Sequence, residues 1–243
     1  GGDIWWSAIS ACYGVESFVV GENNANFSSD SQGVLYNKDK TEIVKYPAGR
    51  KAETYVMPNS VTNVSKLGGE ALSGKYLQRI EVAPGNEFFS SDENGILFLN
   101  YGGRGIVKIP DNIQLEFYEV PEDVSRFAIG SLSDFTNLKR IHIPTSMDIM
   151  YFFQGFVYNL LMPGVCGEID TVLCGERMPE NWQELKEIYK EGYGFEPVFE
   201  LCDGNHTEHK HTPKTVTVPA SCTVDGMEYE VCSECGETIG TPT

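Results

Sequence analysis

The chain reads Phe27-Ser28-Ser29-Asp30 and then Gly33-Val34-Leu35-Tyr36. The same pattern returns 62 residues later as Phe89-Ser90-Ser91-Asp92, followed by Gly95-Ile96-Leu97-Phe98. Self-similarity at a long, constant spacing is the signature of a repeat protein, whose sequence is misread when it is treated as an ordinary domain. The chain is therefore predicted to fold as a stack of related units.

A shorter unit lies inside the long one and ends each time in an alternating apolar stretch. The stretches are Phe18-Val19-Val20, Ile80-Glu81-Val82, Tyr118-Glu119-Val120 and Ile141-His142-Ile143. Alternation over three residues is typical of a short strand with one buried face. Such strands are too short to be stable alone, but stacked in register they bury a continuous core, as in a solenoid.

Each long unit also contains a predicted β-hairpin. Asn37-Lys38-Asp39-Lys40 is a polar turn between Val34-Leu35-Tyr36 and Ile43-Val44-Lys45-Tyr46. Asn100-Tyr101-Gly102-Gly103 occupies the same place in the second copy. Turns rich in Asn, Asp and Gly connect antiparallel strands, so a hairpin is expected in both copies.

These residues resemble the BspA-type leucine-rich repeat, whose unit alternates apolar residues around an Ile-Pro-x-Ser-Val-Thr core. Met57-Pro58-Asn59-Ser60-Val61-Thr62-Asn63-Val64 matches the first half of that unit, and Ser131 to Pro144 matches the second half. Residues 28–47 look like the β-hairpin inserted in many members. The resemblance covers residues 4–147 and implies a β-rich solenoid of short parallel strands with inserted hairpins.

Three parts of the chain are distinguished by pattern. Residues 1–202 are predicted to form the solenoid, in which residues 148–202, where the strict spacing is lost, form a C-terminal cap. A capping helix is expected after Pro179, ending near Gly192, because its apolar residues fall on one face. Residues 203–243 differ in composition and are predicted to form a small Cys/His module.

The candidate metal ligands of the module are the following five residues, of which four would bind: His209, His211, Cys222, Cys232 and Cys235. A Cys-x-x-Cys-Gly turn presents two thiolates to one tetrahedral ion, and a third Cys with one His would complete a structural zinc site. Disulfide pairing among the cysteines and a linker with unligated thiols are the alternatives. The segment resembles a small module repeated in many secreted bacterial surface proteins.

Composition excludes several classes of function. The 243 residues carry 18 Lys and Arg against 35 Asp and Glu, a net charge of −17. Nucleic-acid binding and an anionic membrane surface are disfavoured, because both need clustered positive charge. No apolar run of membrane-spanning length occurs. The resemblance to surface proteins implies an extracellular or cell-surface location, and a start at Gly1-Gly2 without Met is consistent with a removed signal peptide.

The sequence carries no recognisable catalytic motif, such as Gly-x-Ser-x-Gly, a Walker loop or His-Glu-x-x-His. A hydrolase with an unmarked pair of carboxylates stays as a third possibility. Cys12 is predicted to be a buried core thiol, and pairing among Cys166, Cys174 and Cys202 is left open. Binding of a cation by Asp30, Asp39 or Asp92 is disfavoured, because the spacing of a calcium loop is missing.

The outward positions of the stacked strands form the candidate binding face. If 55/57, 80/82, 118/120 and 141/143 point inward, the exposed residues are Val56, Arg79, Glu81, Glu119, Arg140 and His142. Such a face is wide, rigid and free to vary in sequence, which suits binding.

The function expected from the resemblance is non-catalytic adhesion, because relatives are cell-surface proteins that engage host matrix proteins or other cells. The alternative is a carbohydrate-binding module, for which exposed Trp5, Trp6, Tyr101 and Tyr118 would provide aromatic rings. No cofactor is expected for the solenoid, and a structural zinc ion is expected only in the C-terminal module.

Overall fold

A computed structural model describes the following parts of the chain: residues 12–65, 68–128, 130–131, 138–144, 147, 171–174, 187, 190, 198–201, 213–218, 227–232 and 238–239. The chain divides into two compact units, Gly1–Leu201 and Cys202–Thr243.

The first unit contains two four-stranded sheets of the same design. In each, three strands run antiparallel in succession, and the third pairs in parallel with a later strand. The first sheet consists of β1 (Phe27–Ser29), β2 (Leu35–Asn37), β3 (Glu42–Lys45) and β5 (Asn63–Val64); the second consists of β7 (Phe89–Ser91), β8 (Leu97–Leu99), β9 (Arg104–Lys108) and β11 (Val124–Phe127). The predicted hairpins are therefore present in both copies.

The turn before each hairpin's second strand depends on an Asp and a Gly. Asp30 Oδ1 accepts hydrogen bonds from the backbone N–H groups of Gln32 and Val34, and Asp92 Oδ1 accepts the corresponding pair. Gly33 and Gly95 adopt φ angles of 75° and 80°, in the left-handed region that favours glycine. The carboxylates thus hold the turn together, which gives these Asp residues a structural role.

Parallel strands form two further ladders. β4 (Thr54–Met57) pairs with β6 (Arg79–Val82), with Tyr55 opposite Ile80. The second ladder runs β10, β12, β13 and β14, with all neighbours parallel. Its strands are Phe117–Glu119, Arg140–Ile143, Thr171–Cys174 and Val198–Leu201. The prediction of a β-rich leucine-rich repeat solenoid with short parallel strands and inserted hairpins is confirmed by this register.

The core lies where the inward sides of these strands meet. A 3₁₀ helix, Gly68–Leu72, closes one turn of the solenoid and buries Ala71 and Leu72. Each fully buried Leu or Ile contributes about 1.5–3 kcal/mol relative to exposure. The buried hydrophobic core cluster includes Tyr36, Ile43, Tyr46, Tyr55, Met57, Val61, Leu72, Leu77 and Ile80. Stacked apolar faces therefore give short strands the stability that they lack singly.

Outside the ladders, Glu187 and Lys190 are helical and exposed, within the stretch predicted to form the capping helix. Cys12, predicted to be a buried core thiol, is only half-buried, so that prediction was wrong. It precedes β1 and does not belong to the buried core cluster. Within the described residues, no helix has the length and apolarity needed to cross a membrane.

The second unit contains a three-stranded antiparallel sheet in the order β15, β16, β17. Its strands are Pro213–Val218, Met227–Cys232 and Thr238–Ile239. Pro213 pairs with Cys232 at one end of the β15/β16 ladder, and Val218 pairs with Met227 at the other.

Candidate functional site

The outward face of the β4/β6 ladder carries the residues that the alternation predicted. Val56 lies opposite Glu81 in the register, and both are exposed. Tyr55 and Met57, between and beside them, are fully buried. Arg79 lies on the same face as Glu81, with Nε 3.8 Å from the Glu81 carboxylate. An ion pair this exposed contributes little to stability, so both charges face solvent for a partner to contact.

The β10/β12 ladder adds an aromatic residue to the face. Phe117 pairs with Arg140 across the ladder, and the Arg140 guanidinium carbon lies 5.8 Å from the centre of the Phe117 ring. Phe117 is 39% exposed, and Glu119, two residues on, is exposed as predicted. Arginine over an aromatic face is attracted by the ring's quadrupole, which favours an ordered pair at the surface.

Sequence reasoning missed Phe117 as a surface residue. The signal was present, because alternation that places Tyr118 inside must place both Phe117 and Glu119 outside. A phenylalanine is normally expected in a core, and that expectation concealed the pattern.

His142 does not belong to the exposed face. It was predicted to alternate outward between Ile141 and Ile143, yet it is 2% exposed, as buried as its neighbours. The three residues Ile141 to Ile143 of β12 are all buried. The inward and outward alternation of the earlier strands ends at this repeat, and the prediction for His142 was wrong.

Tyr118 is also unavailable at the surface. The side chain is buried, and its hydroxyl donates a hydrogen bond of 3.0 Å to Asp92 Oδ2. Burial and the negative charge of Asp92 raise the pKa of the Tyr118 hydroxyl above its ordinary value. Tyr118 is thus an internal tie between a hairpin turn and a ladder strand, and its expected role in carbohydrate stacking was wrong.

Of the other aromatic residues considered for carbohydrate contact, Tyr101 is 76% exposed, whereas Trp5 and Trp6 lie outside the described residues. Phe88, which sequence reasoning also missed, is exposed close to Tyr101 in the second hairpin. Of the two described candidates for carbohydrate contact, Tyr101 is therefore at the surface and Tyr118 is not.

The candidate metal ligands are only partly covered by the structure. Cys232 is the last residue of β16, whereas His209, His211, Cys222 and Cys235 lie outside the described residues. Of the three cysteines considered for pairing in the cap, Cys174 ends β13, and Cys166 and Cys202 lie outside the described residues.

Comparison with known proteins gives fold-level similarity only. No protein-family model matches the chain, and no curated protein matches it. Three solved structures align with it. A leucine-rich repeat protein from Eubacterium ventriosum shares 18% identity, with a TM-score of 0.39, over 56% of this chain and 36% of that one.

The other two structures are the pneumococcal vaccine antigen PcpA and a leucine-rich cell-surface protein from Faecalibacterium prausnitzii. PcpA shares 16% identity, with a TM-score of 0.37, over 77% of this chain and 50% of its own. The Faecalibacterium protein shares 10%, with a TM-score of 0.38, over 68% and 52%. The chain thus spans about a third to a half of these proteins. At such TM-scores the leucine-rich repeat assignment depends on the ladders of the chain itself.

Proposed function

We propose that the chain acts at the cell surface or outside the cell as a non-catalytic protein-binding module, and that its outward ladder face makes the contact. The observation that carries this proposal is the Phe117–Arg140 pair. Aromatic and arginine side chains dominate the binding energy of protein interfaces. The fold does not require an exposed phenylalanine at this position, because the equivalent residue of the first copy, Thr54, is polar.

The charges around the pair support a protein partner. In each ladder one outward row holds an arginine, Arg79 opposite Thr54 and Arg140 opposite Phe117, and the next outward row holds a glutamate, Glu81 or Glu119. Two adjacent rows of opposite charge on a rigid ladder can pair with complementary charges of a partner, which gives specificity and a fast association rate. Rigidity lowers the entropy that binding costs, because parallel strands hold the rows in place.

Binding to host extracellular-matrix proteins is the activity implied by the sequence resemblance. The test is surface plasmon resonance of the whole chain against a panel of purified matrix proteins. For a partner found in this way, Phe117→Ala and Arg140→Ala should each weaken binding by about 2 kcal/mol, about thirtyfold in Kd. The matched control is Lys51→Ala, which removes an exposed cation that is paired with Glu16 and lies outside the strands of these ladders.

Binding unchanged in both face variants would refute the outward face as the contact surface. Loss of binding in Lys51→Ala to the same extent would show a general effect of charge. Binding to oligosaccharides alone, with no protein of the panel bound, would refute the protein-binding function itself.

We further propose a structural zinc site in the second unit, formed by His209, His211, Cys232 and Cys235. Supporting this choice, Cys232 ends β16 opposite Pro213, the first residue of β15. In sequence, His209 and His211 lie four and two residues before the start of β15, and Cys235 lies three residues after the end of β16. Cys222 belongs to the connection that leaves β15 from Val218, the other end of the ladder. Two His and two Cys form a common tetrahedral zinc set.

Elemental analysis of the chain purified without chelator tests this set. We expect one zinc per chain, its loss in Cys232→Ser, and its retention in the matched control Cys222→Ser. Zinc lost in both variants would favour a set that includes Cys222. A mass lower by about two hydrogens per bridge before reduction, with no zinc, would show that the cysteines form disulfides instead.

A further inference from the structure

The second hairpin carries exposed aromatic residues at its β8–β9 turn. Phe88 precedes β7, and its carbonyl oxygen accepts a hydrogen bond of 2.8 Å from the N–H of Asn100, so the two residues lie side by side. Tyr101 follows Asn100 and is 76% exposed, and Phe88 is 36% exposed. Phe88 and Tyr101 are therefore both neighbours of Asn100, one across the hydrogen bond and the other along the chain. We call this group, with Arg104 and Asp123, the second-hairpin platform.

The first hairpin shows that the fold does not need these aromatic residues. The positions that correspond to Phe88 and Tyr101, 62 residues earlier, hold Asn26 and Asp39. Both are exposed and polar, and the first sheet has the same strand order as the second. Since the same hairpin forms with polar residues, exposed aromatic rings in the second copy need an explanation other than folding.

The platform is held in one conformation by its neighbours. Arg126 donates hydrogen bonds of 2.6 Å to the carbonyl oxygen of Tyr101 and 2.7 Å to that of Gly102. Ser90 Oγ donates to Asn100 Oδ1 at 2.8 Å. A ligand that binds here does not have to order the turn, so little of the binding free energy is lost to conformational entropy.

Hydrogen-bond donors and acceptors both lie at the start of β9 and just before β11. Arg104 Nη1 donates to both carboxylate oxygens of Asp123, at 2.9 and 3.1 Å, and the Arg104 guanidinium lies 4.0 Å from the centre of the Phe98 ring. The Asp123 side chain stays 63% exposed. The pair offers donors and acceptors with no net charge, and it lies about two strand spacings, about 10 Å, from Phe88.

We propose that the second-hairpin platform binds neutral carbohydrate. The polarised C–H bonds on one face of a sugar ring are attracted to the electron-rich face of an aromatic ring, and Phe88 and Tyr101 supply such rings. Asn100 and the Arg104–Asp123 pair supply partners for sugar hydroxyl groups. A protein partner is less suited, because two aromatic residues on a hairpin turn fall well short of the roughly 1,000 Å² that a stable protein interface buries.

The test uses an array of immobilised neutral oligosaccharides, followed by calorimetry with the sugars that bind. The variant Phe88→Asn/Tyr101→Asp gives the second hairpin the residues of the first, which that hairpin tolerates. We expect it to weaken binding about tenfold or more. The matched control is Tyr13→Asp, which removes a tyrosine that is 64% exposed elsewhere. Circular dichroism and melting temperature verify that each variant folds.

Three outcomes overturn the proposal: no neutral sugar bound by the unaltered chain, equal binding by the hairpin variant, or equal loss in Tyr13→Asp. The proposal is separate from protein binding at the ladder face. Phe117→Ala should therefore leave sugar binding unchanged, while the hairpin variant should leave binding to a matrix protein unchanged. Loss of matrix-protein binding in the hairpin variant, with no sugar bound, would assign the platform to a protein partner instead.

Discussion

The first hairpin unit (residues 27–64) and the second (residues 89–127) have the same strand arrangement, but their buried side chains form different hydrogen bonds. In the first, the Tyr36 hydroxyl donates to Asp30 Oδ2 at 2.8 Å and lies 2.9 Å from the Tyr55 hydroxyl. In the second, Phe98 replaces Tyr36, and Tyr118 donates directly to Asp92. One extra hydroxyl thus lengthens a hydrogen-bonded chain without altering the fold.

The buried lysines differ in the same way. Lys45 Nζ donates to the backbone carbonyl of Glu70 at 2.6 Å, whereas Lys108 Nζ lies 2.5 Å from the carboxylate of Asp111, the residue that replaces Ala48. The repeat is thus specified by its turns and by its inward-facing positions. The polarity of those positions varies between the copies, and each of the two buried ammonium groups has an acceptor.

Among substitutions at positions where the two hairpin units differ, loss of the Asp111 carboxylate should lower the free energy of unfolding most. Asp111 Oδ2 also accepts a hydrogen bond of 2.7 Å from the N–H of Gly74. We expect Asp111→Ala to lower the free energy of unfolding by about 3–5 kcal/mol, because it removes the anion beside a buried ammonium. Denaturant unfolding measures the change.

The double variant Lys108→Met/Asp111→Ala should recover part of this stability, since no buried cation remains. If the double variant were less stable than Asp111→Ala by as much as Lys108→Met alone destabilises the protein, the two residues would act independently. The ion pair would then not distinguish the second unit.

Substitution of the turn glycines should have a smaller effect, and a larger one in the second unit. A Cβ on Gly95 would lie 2.7 Å from the Cβ and 2.8 Å from the backbone Cα of Arg79, and a Cβ on Gly33 would lie 2.9 Å from the Cβ and 3.0 Å from the backbone Cα of Ser17. Both positions have positive φ, so each substitution should cost about 2–3 kcal/mol, and Gly95→Ala should cost more because its contacts are shorter.

Thermal or denaturant unfolding of both variants tests the order. Gly21→Ala is the control, because no atom lies within 4 Å of the added Cβ. Equal losses at Gly33 and Gly95 would show that φ strain alone, and not the contact with Arg79, decides the cost.

The smallest expected effect concerns alkaline pH. Burial raises the pKa of the Tyr36 and Tyr55 hydroxyls above the ordinary value near 10, and hydrogen bonding with each other and the charge of Asp30 modify those pKa values further. The folded chain therefore keeps protons that the unfolded chain loses. The contribution of the Tyr36 and Tyr55 hydroxyls to stability is complete below about pH 10, and it is lost as the pH rises above that value.

Tyr36→Phe converts this position to the residue of the second unit. At neutral pH it should cost about 1 kcal/mol, from the lost hydrogen bonds. Between pH 10 and 11 it should reduce the fall in stability by about 1 kcal/mol, since one group fewer titrates only on unfolding. Unfolding at both pH values measures this difference, and an identical fall in both proteins would contradict the inferred role of Tyr36.

Much of the fold could be predicted, because a repeat states its own boundaries. Both hairpins and the inward positions of the β4/β6 ladder followed from spacing, whereas the turns held by Asp30 and Asp92 were not predicted. Of the candidate face, Val56, Glu81 and Glu119 are exposed, and Arg79 and Arg140 are partly so. Predictions from alternation failed at His142, and the expected exposure of Tyr118 contradicted the inward position that the same alternation gave it.

The periodic part of the fold could be derived from the sequence alone: the unit length, the hairpin turns, and the later strands with the side that faces the core. The strand predicted at Phe18-Val19-Val20 does not form, so that prediction was wrong. Local sterics and hydrophobic periodicity act over a few residues, so a single chain segment carries them. The burial of His142, the hydrogen bond from Tyr118 to Asp92 and the position of Phe88 and Tyr101 at one exposed hairpin end could be read only from the three-dimensional structure. Those outcomes depend on packing between segments distant in sequence, which no local pattern encodes.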